Sequence, residues 1–306
     1  MKKNILILTA ILLSIVAIDL VFGILIRSIE PYSYNQNNIC AQQFNSDVLI
    51  LGSSASVFDL SPNTIEEQLG LSCYCGGEGA NGCLVAWARY NMCIQRHTPK
   101  MVIYCITPEY DYHLVDKGEF ARNMNVLQDY FLRDSVVTEM FREFKTPQER
   151  IKLYSNMVRY NPSWVQTIVH AATQSKKNAK GHGSFYGTFT PFKIAPERSH
   201  GPYVSDTVKI QYLTRLFSDI KKRDITLFCV IPPVYYDTYD PEKYQPAYDL
   251  CHQLTIPIIN HYYTECISGH PEYFFDSVHL NETGCQEYTL LLCQEILQIL
   301  SANAIQ

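Results

Sequence analysis

The sequence predicts an α/β protein: a parallel β-sheet with helices on both faces, carried behind one membrane-spanning helix. Three observations lead there. Short apolar runs alternate with segments of helical period, small residues crowd the carboxyl ends of the first two runs, and an unbroken apolar stretch opens the chain.

That stretch is Asn4 to Ile26, 23 residues carrying a single charge at Asp19, long enough to cross a bilayer. It exceeds a signal-peptide core of about 7–15 residues and no clear small-residue cleavage site follows, so an uncleaved anchor over residues 1–27 is expected. Lys2 and Lys3 before it against Arg27 after it favour a cytoplasmic amino end and a globular part outside. Asp19 is expected to sit in the span as a neutral acid, with a helix partner or a water-facing position as the alternative.

A polar stalk over 28–45 leads into a domain over 46–306. Val48–Leu51 is a continuous apolar run, the pattern of a strand covered on both faces. Ser61 and Pro62 form an N-cap and first-turn pair, and Gly70 a C-cap. Leu71–Cys75 reads as the second strand, running into Gly76-Gly77-Glu78-Gly79. A helix from Asn81 to about Arg96 follows, with Leu84, Val85, Ala88 and Met92 on one face. Met101–Ile106 is the third strand, Ile225–Ile231 the fourth and Ile256–Ile259 the fifth. Val208, Tyr212, Leu216 and Ile220 mark the helix before the fourth strand. Cys285, Tyr288, Leu292 and Ile296 mark the last helix.

The 97 residues of 109–205 exceed any ordinary connection and form an insertion. Its first part reads as helical, with Val126, Leu127, Tyr130, Phe131, Met140, Phe141 and Phe144. Ser175 to Ser184 is small, basic and glycine-containing, which predicts mobility and makes the insertion a candidate lid, with a surface embellishment as the alternative.

Residues after Arg27 comprise 22 basic against 29 acidic side chains, a net charge of −7. A nucleic-acid partner is not expected of such a surface. Eleven cysteines are an odd count for an oxidising compartment. Most are expected as small buried hydrophobes, with one or two disulfides. Cys73-x-Cys75 lacks the further ligands of a zinc site, so neither a metal nor a cofactor is expected.

Gly52-Ser53-Ser54-Ala55-Ser56 follows the first strand at the sheet end where open α/β sheets place ligands. A serine needs a base to take its proton, and the base needs a group to orient it. Asp276-Ser277-Val278-His279 supplies both, on a loop just before the last helix. The spacing lets Asp276 hold Nδ1 of His279 and leaves Nε2 for a serine. Position 56 is serine, so the G-x-S-x-G elbow is absent. Of the other histidines, His182 and His200 in the insertion are expected to be solvated. Tyr235, Tyr236, Tyr239, Tyr244 and Tyr248 form a cluster that either packs a long loop or lines a sugar cleft.

Strand-Gly52-x-Ser54, the glycine-rich turn after the second strand and Asp276-x-x-His279 before the last helix together resemble the SGNH/GDSL hydrolase superfamily, over about 47–300. The resemblance implies a three-layer α/β/α, flavodoxin-like fold, with Ser54 as nucleophile, His279 as base and Asp276 as its acid. Ser53 stands where the family has aspartate. It also implies an oxyanion hole from the Ser54 N–H and from Gly79 or Ala80, with Asn81 able to cap the next helix or to substitute for a missing donor. The family's glycine-x-asparagine-aspartate after the third strand is replaced by Ile106-Thr107-Pro108-Glu109-Tyr110-Asp111. With the anchor, the resemblance implies a serine esterase or O-acyltransferase acting on an acylated envelope glycan or related carbohydrate ester. The alternative is an inactive SGNH-like envelope protein that binds a polymer or a partner protein.

Overall fold

Five strands form one all-parallel sheet in the order β2-β1-β3-β4-β5: β1 Val48–Gly52, β2 Cys73–Cys75, β3 Met101–Cys105, β4 Thr226–Ile231 and β5 Ile258–Asn260. The computed structural model describes residues 2–33, 35–114, 118–173, 180–197 and 201–304. They fall into two compact units, Met1–Gln43 with Phe120–Lys177, and Phe44–Glu119 with Asn178–Gln306.

The sheet belongs to the second unit. Alternate residues of a strand face opposite sides, and both sides are covered. Val48, Ile50, Cys75, Ile103, Cys105 and Val230 share a core with Ile65 of the helix Pro62–Leu69 and with Cys285, Tyr288, Leu292 and Ile296 of the helix Glu282–Ala304. On the other side, Tyr104 meets Phe217 of the helix Thr207–Lys222 edge-on at 5.1 Å, and that helix packs on Cys83–Ile94. The apolar runs have no polar face because neither side of the sheet meets water.

Local signals act where expected. Ser61 Oγ accepts the Thr64 N–H, Pro62 opens the helix, and Gly70 ends it at φ +67. The helix expected from Asn81 begins instead at Cys83. Its N-cap is Gly82, where a Cβ would lie 2.5 Å from the Tyr110 carbonyl oxygen. On Thr207–Lys222, Val208 is only half-buried while Lys209 is fully buried. The Lys209 ammonium pairs with Glu119 at 2.5 Å and donates to the Glu109 and His113 carbonyls, which is how a charge survives there.

The expected disulfides are absent. None of the eleven cysteines forms a disulfide, and ten of them are buried. Cys73, Cys75, Cys105, Cys285 and Cys293 belong to one core as small apolar groups, and burial pushes the thiols of Cys73, Cys105, Cys285 and Cys293 up, that of Cys293 to about 12.

The first unit joins the amino-terminal helix, Lys2–Ile29, to most of the helical insertion. Among the described residues one helix, covering Lys2–Tyr32 when its last turn is included, is long and apolar enough to cross a membrane. The segment read as a bare stalk is built into this unit. Glu30, Ser33, Asn37, Asn38 and Cys40 are buried, and Arg133 makes a bidentate pair with Glu30, both distances 2.7 Å. The Arg133 guanidinium also lies over Tyr130. Asp19 takes the partnered alternative. Its carboxylate accepts from Ser155 Oγ at 2.6 Å and from the Asn156 and Met157 N–H groups at 2.9 Å each.

Of the segment expected to be mobile, 175–179 lie outside the described residues, and 180–184 are pinned. The Lys180 carbonyl accepts the Cys75 N–H, Lys180 pairs with Glu66, and the Gly183 N–H donates to the Val57 carbonyl. His200 lies outside the described residues.

Candidate active site

β1 ends at Gly52, whose φ of +134 and whose distance to Cys105 exclude a side chain: a Cβ would lie 2.5 Å from the Cys105 carbonyl oxygen. Ser53 is the N-cap of a short helix, Ser54–Phe58, and Ser54 is its first residue, so the Ser54 N–H has no acceptor within that helix. The three hydroxyls then separate. Ser53 is fully buried, Ser56 is buried and donates to the Ser53 carbonyl at 2.6 Å, and Ser54 is half-exposed.

The second half of the site is the loop Phe274–Leu280, closed by a bridge between those two residues, both fully buried in the core. Within it Asp276 Oδ1 accepts the N–H groups of Val278 at 2.9 Å and His279 at 2.8 Å, an Asx turn that folds the histidine back over its own carboxylate. Asn281 then caps the last helix, its Oδ1 accepting the Gly284 N–H.

The two halves meet. His279 Nε2 lies 2.9 Å from Ser54 Oγ, while Nδ1 lies 2.9 and 3.1 Å from the two Asp276 oxygens. With the proton on Nδ1 and donated to Asp276, Nε2 is left to accept the Ser54 hydroxyl. Partial burial opposes protonation of His279, but its bond to Asp276 and that carboxylate's charge hold its pKa above the usual histidine value. Partial burial likewise opposes ionisation of Asp276, and the bonds from His279 and from the Val278 N–H hold its carboxyl below the usual range.

The glycine-rich turn runs alongside. Gly76 and Glu78 donate to the Ile50 and Gly52 carbonyls, extending β2 beside β1. A Cβ on Gly77 would lie 1.9 Å from Ser56 Oγ, whereas one on Gly79 would meet nothing within 4 Å, so Gly79 borders open space. Asn81 does not cap the next helix. It is buried, and its side-chain amide donates to the Gly79 carbonyl at 2.9 Å, bracing the turn. After β3, Asp111 is buried and accepts the Tyr104 hydroxyl at 2.6 Å and the Thr107 N–H at 2.7 Å. It is a structural acid here, its carboxyl pushed by burial up to about 7.

Three features were not foreseen from the sequence. Asp59 is fully buried at the end of the Ser54–Phe58 helix, and its Oδ1 accepts the Leu280 N–H at 2.8 Å. Burial pushes its carboxyl up to about 8. Arg89, buried on an otherwise apolar helix face, donates to the Gly76 and Gly77 carbonyls at 3.0 and 2.6 Å and pairs with Glu78, holding the turn. A lone arginine among Val85, Ala88 and Met92 was the available signal. Finally Phe58, Phe185 and Phe275 stack in series at 4.0 and 4.3 Å, with the His279 ring 5.7 Å from Phe185.

Other expectations change. His182 is mostly enclosed, its side chain 15% exposed and 3.9 Å from Glu282, and burial lowers its pKa. The tyrosines divide. Tyr239 and Tyr244 pack together with Tyr262, and the Tyr239 hydroxyl meets that of Tyr248. Tyr235 and Tyr236 stand half-exposed, the Tyr235 N–H donating to the Ser277 carbonyl of the histidine loop. A cavity of about 740 Å³ lies elsewhere, at the amino ends of β4 and β5 among Thr226, Phe228 and Ile256. A scan against family models and a search of curated proteins each find no match.

Proposed function

We propose that the chain is a serine esterase or O-acyltransferase related to the SGNH/GDSL hydrolases, anchored by residues 4–26 with its globular part outside the cytoplasm. The observation that carries this reading is the continuous hydrogen-bonded line from Ser54 Oγ through the His279 ring to Asp276. The strand order, that of flavodoxin-like sheets, and the position of Ser54 at the carboxyl end of β1 support it.

In the mechanism, Ser54 Oγ attacks the ester carbonyl carbon as His279 Nε2 takes its proton. The tetrahedral oxyanion is met by the Ser54 N–H and by the turn at Gly79. His279 returns the proton to the departing alcohol oxygen, leaving an acyl group on Ser54. Water completes hydrolysis, and a sugar hydroxyl completes transfer. Asp276 keeps the proton on Nδ1 and stabilises the imidazolium. Tyr235 and Tyr236, whose rings stand beside the histidine loop, are suited to stack on a sugar, which favours an acylated glycan as substrate. The lack of an asparagine anywhere in Ile106–Asp111, where the family has its third oxyanion donor, is the observation on the side of a polymer-binding protein without activity.

A fluorophosphonate probe tests the proposal. Labelling is expected in the unsubstituted chain and in Ser53→Ala, and is lost in Ser54→Ala. No labelling of folded protein overturns the enzymatic reading.

A further inference from the structure

The helix Trp164–Thr173 in the first unit is built inside out. Thr167, and Ser163 just before it, are buried, while Val165, Ile168 and Val169 are exposed by 52, 41 and 49%. At about 100° per residue, Trp164, Ile168, Val165 and Val169 fall within one outward arc of about 140°. No Asp, Glu, Lys or Arg occurs between Arg159 and Lys176. Met157 and Val158 extend the exposed apolar surface. In water this arrangement is reversed from that of a stable surface helix.

Its neighbour within the unit is the amino-terminal helix. Phe22 meets Trp164 edge-on at 6.3 Å, and the two helices pack along each other. Val21, Ile24 and Leu25 of that helix are exposed too, so the apolar surface continues from one helix onto the other. Asp19 fixes the depth. The 17 residues from Asn4 to Leu20 span about 26 Å, close to a bilayer's hydrocarbon thickness of about 30 Å. The Asp19 carboxylate, satisfied by Ser155, Asn156 and Met157, thus marks the level where the helix leaves the hydrocarbon. Phe22 and Trp164 lie just beyond, where aromatic belts form.

We infer that the Trp164–Thr173 helix is a second membrane element. It lies along the bilayer surface with Trp164, Val165, Ile168 and Val169 in the acyl-headgroup boundary of the membrane that the amino-terminal helix crosses. The occupant of the exposed face is lipid. This inference rests on the anchoring part of the reading above and not on the catalytic part.

Trp87 and Trp164 are the only tryptophans, so Trp87→Phe leaves a single reporter. The full-length variant is reconstituted in phosphatidylcholine vesicles carrying a doxyl quencher at carbon 5 or carbon 12 of the acyl chain. The expected result is at least twofold stronger quenching of Trp164 by the shallow quencher than by the deep one. The same signal can be read as the difference between the unsubstituted chain and Trp164→Phe. A chain that floats with vesicles but whose Trp164 is unquenched by both lipids overturns this inference alone, and is the outcome if a second copy or a protein partner covers the face. A chain that does not float overturns the anchor itself.

Discussion

Asp59 accepts the backbone N–H of Leu280 at 2.8 Å, joining the helix that begins with Ser54 to the loop that carries His279. This bond crosses between the two halves of the site without touching either reacting group. Asp59→Ala is expected to lower esterase turnover by about 10-fold through misplaced geometry, whereas Asp59→Asn keeps the acceptor and most of the rate. The same pair tests the electrostatics. Burial raises the folded carboxyl from 3.8 to about 8, so the native state binds the extra proton between those values and stability falls as pH rises across that window. Denaturation midpoints measured from pH 4 to 8 should show a flatter profile in Asp59→Asn than in the unsubstituted chain.

Asp276→Asn removes the acceptor that selects the His279 tautomer. A fall in turnover on the order of 10³–10⁴-fold is expected with little change in fold. The raised histidine pKa adds a sign. The base works only as the neutral ring, so activity climbs with pH through a midpoint above 6.5, and in Asp276→Asn that midpoint moves down. The protonated ring stabilises the fold below 6.5, and that contribution is lost as pH rises through the folded value. A pH–rate profile of both proteins checks the shift, and an unmoved midpoint counts against the pairing.

Gly52→Ala places a methyl 2.5 Å from the Cys105 carbonyl oxygen at a φ of +134. Backbone strain of about 1–3 kcal/mol follows, with the clash in addition. A lowered denaturation midpoint, accompanied by loss of probe labelling at Ser54 in the protein that still folds, is the expected pair of results.

Arg89→Met leaves Glu78 without its buried partner and frees the Gly76 and Gly77 carbonyls. Glu78 still reaches water, and leaving a buried carbonyl unsatisfied costs about 1–3 kcal/mol. Chemical denaturation is expected to show a loss of that size, and any remaining folded enzyme should lose turnover more than substrate affinity, because the turn beside Ser54 is no longer held.

Much of this was readable locally. The Ser61, Pro62 and Gly70 signals, the apolar strands and the Asp276-x-x-His279 loop each depend on a few adjacent residues whose backbone preferences and short-range hydrogen bonds are written in their side chains. The fate of the cysteines was not, because a thiol's partner is a matter of packing, and here the sulfurs pack without forming disulfides.

The amino-acid sequence by itself determined a parallel α/β domain, an apolar amino-terminal helix, and a carboxylate poised on its own histidine. Only the tertiary structure decided that Ser54 meets that histidine across 225 residues, that Asp59 and Arg89 hold the two halves in place, and that most of the helical insertion joins the amino-terminal helix rather than the sheet. The physical reason is range. Turns, caps and strands are settled by neighbours in the chain, whereas such meetings are settled by how whole faces pack, and that depends on side chains far apart in the sequence.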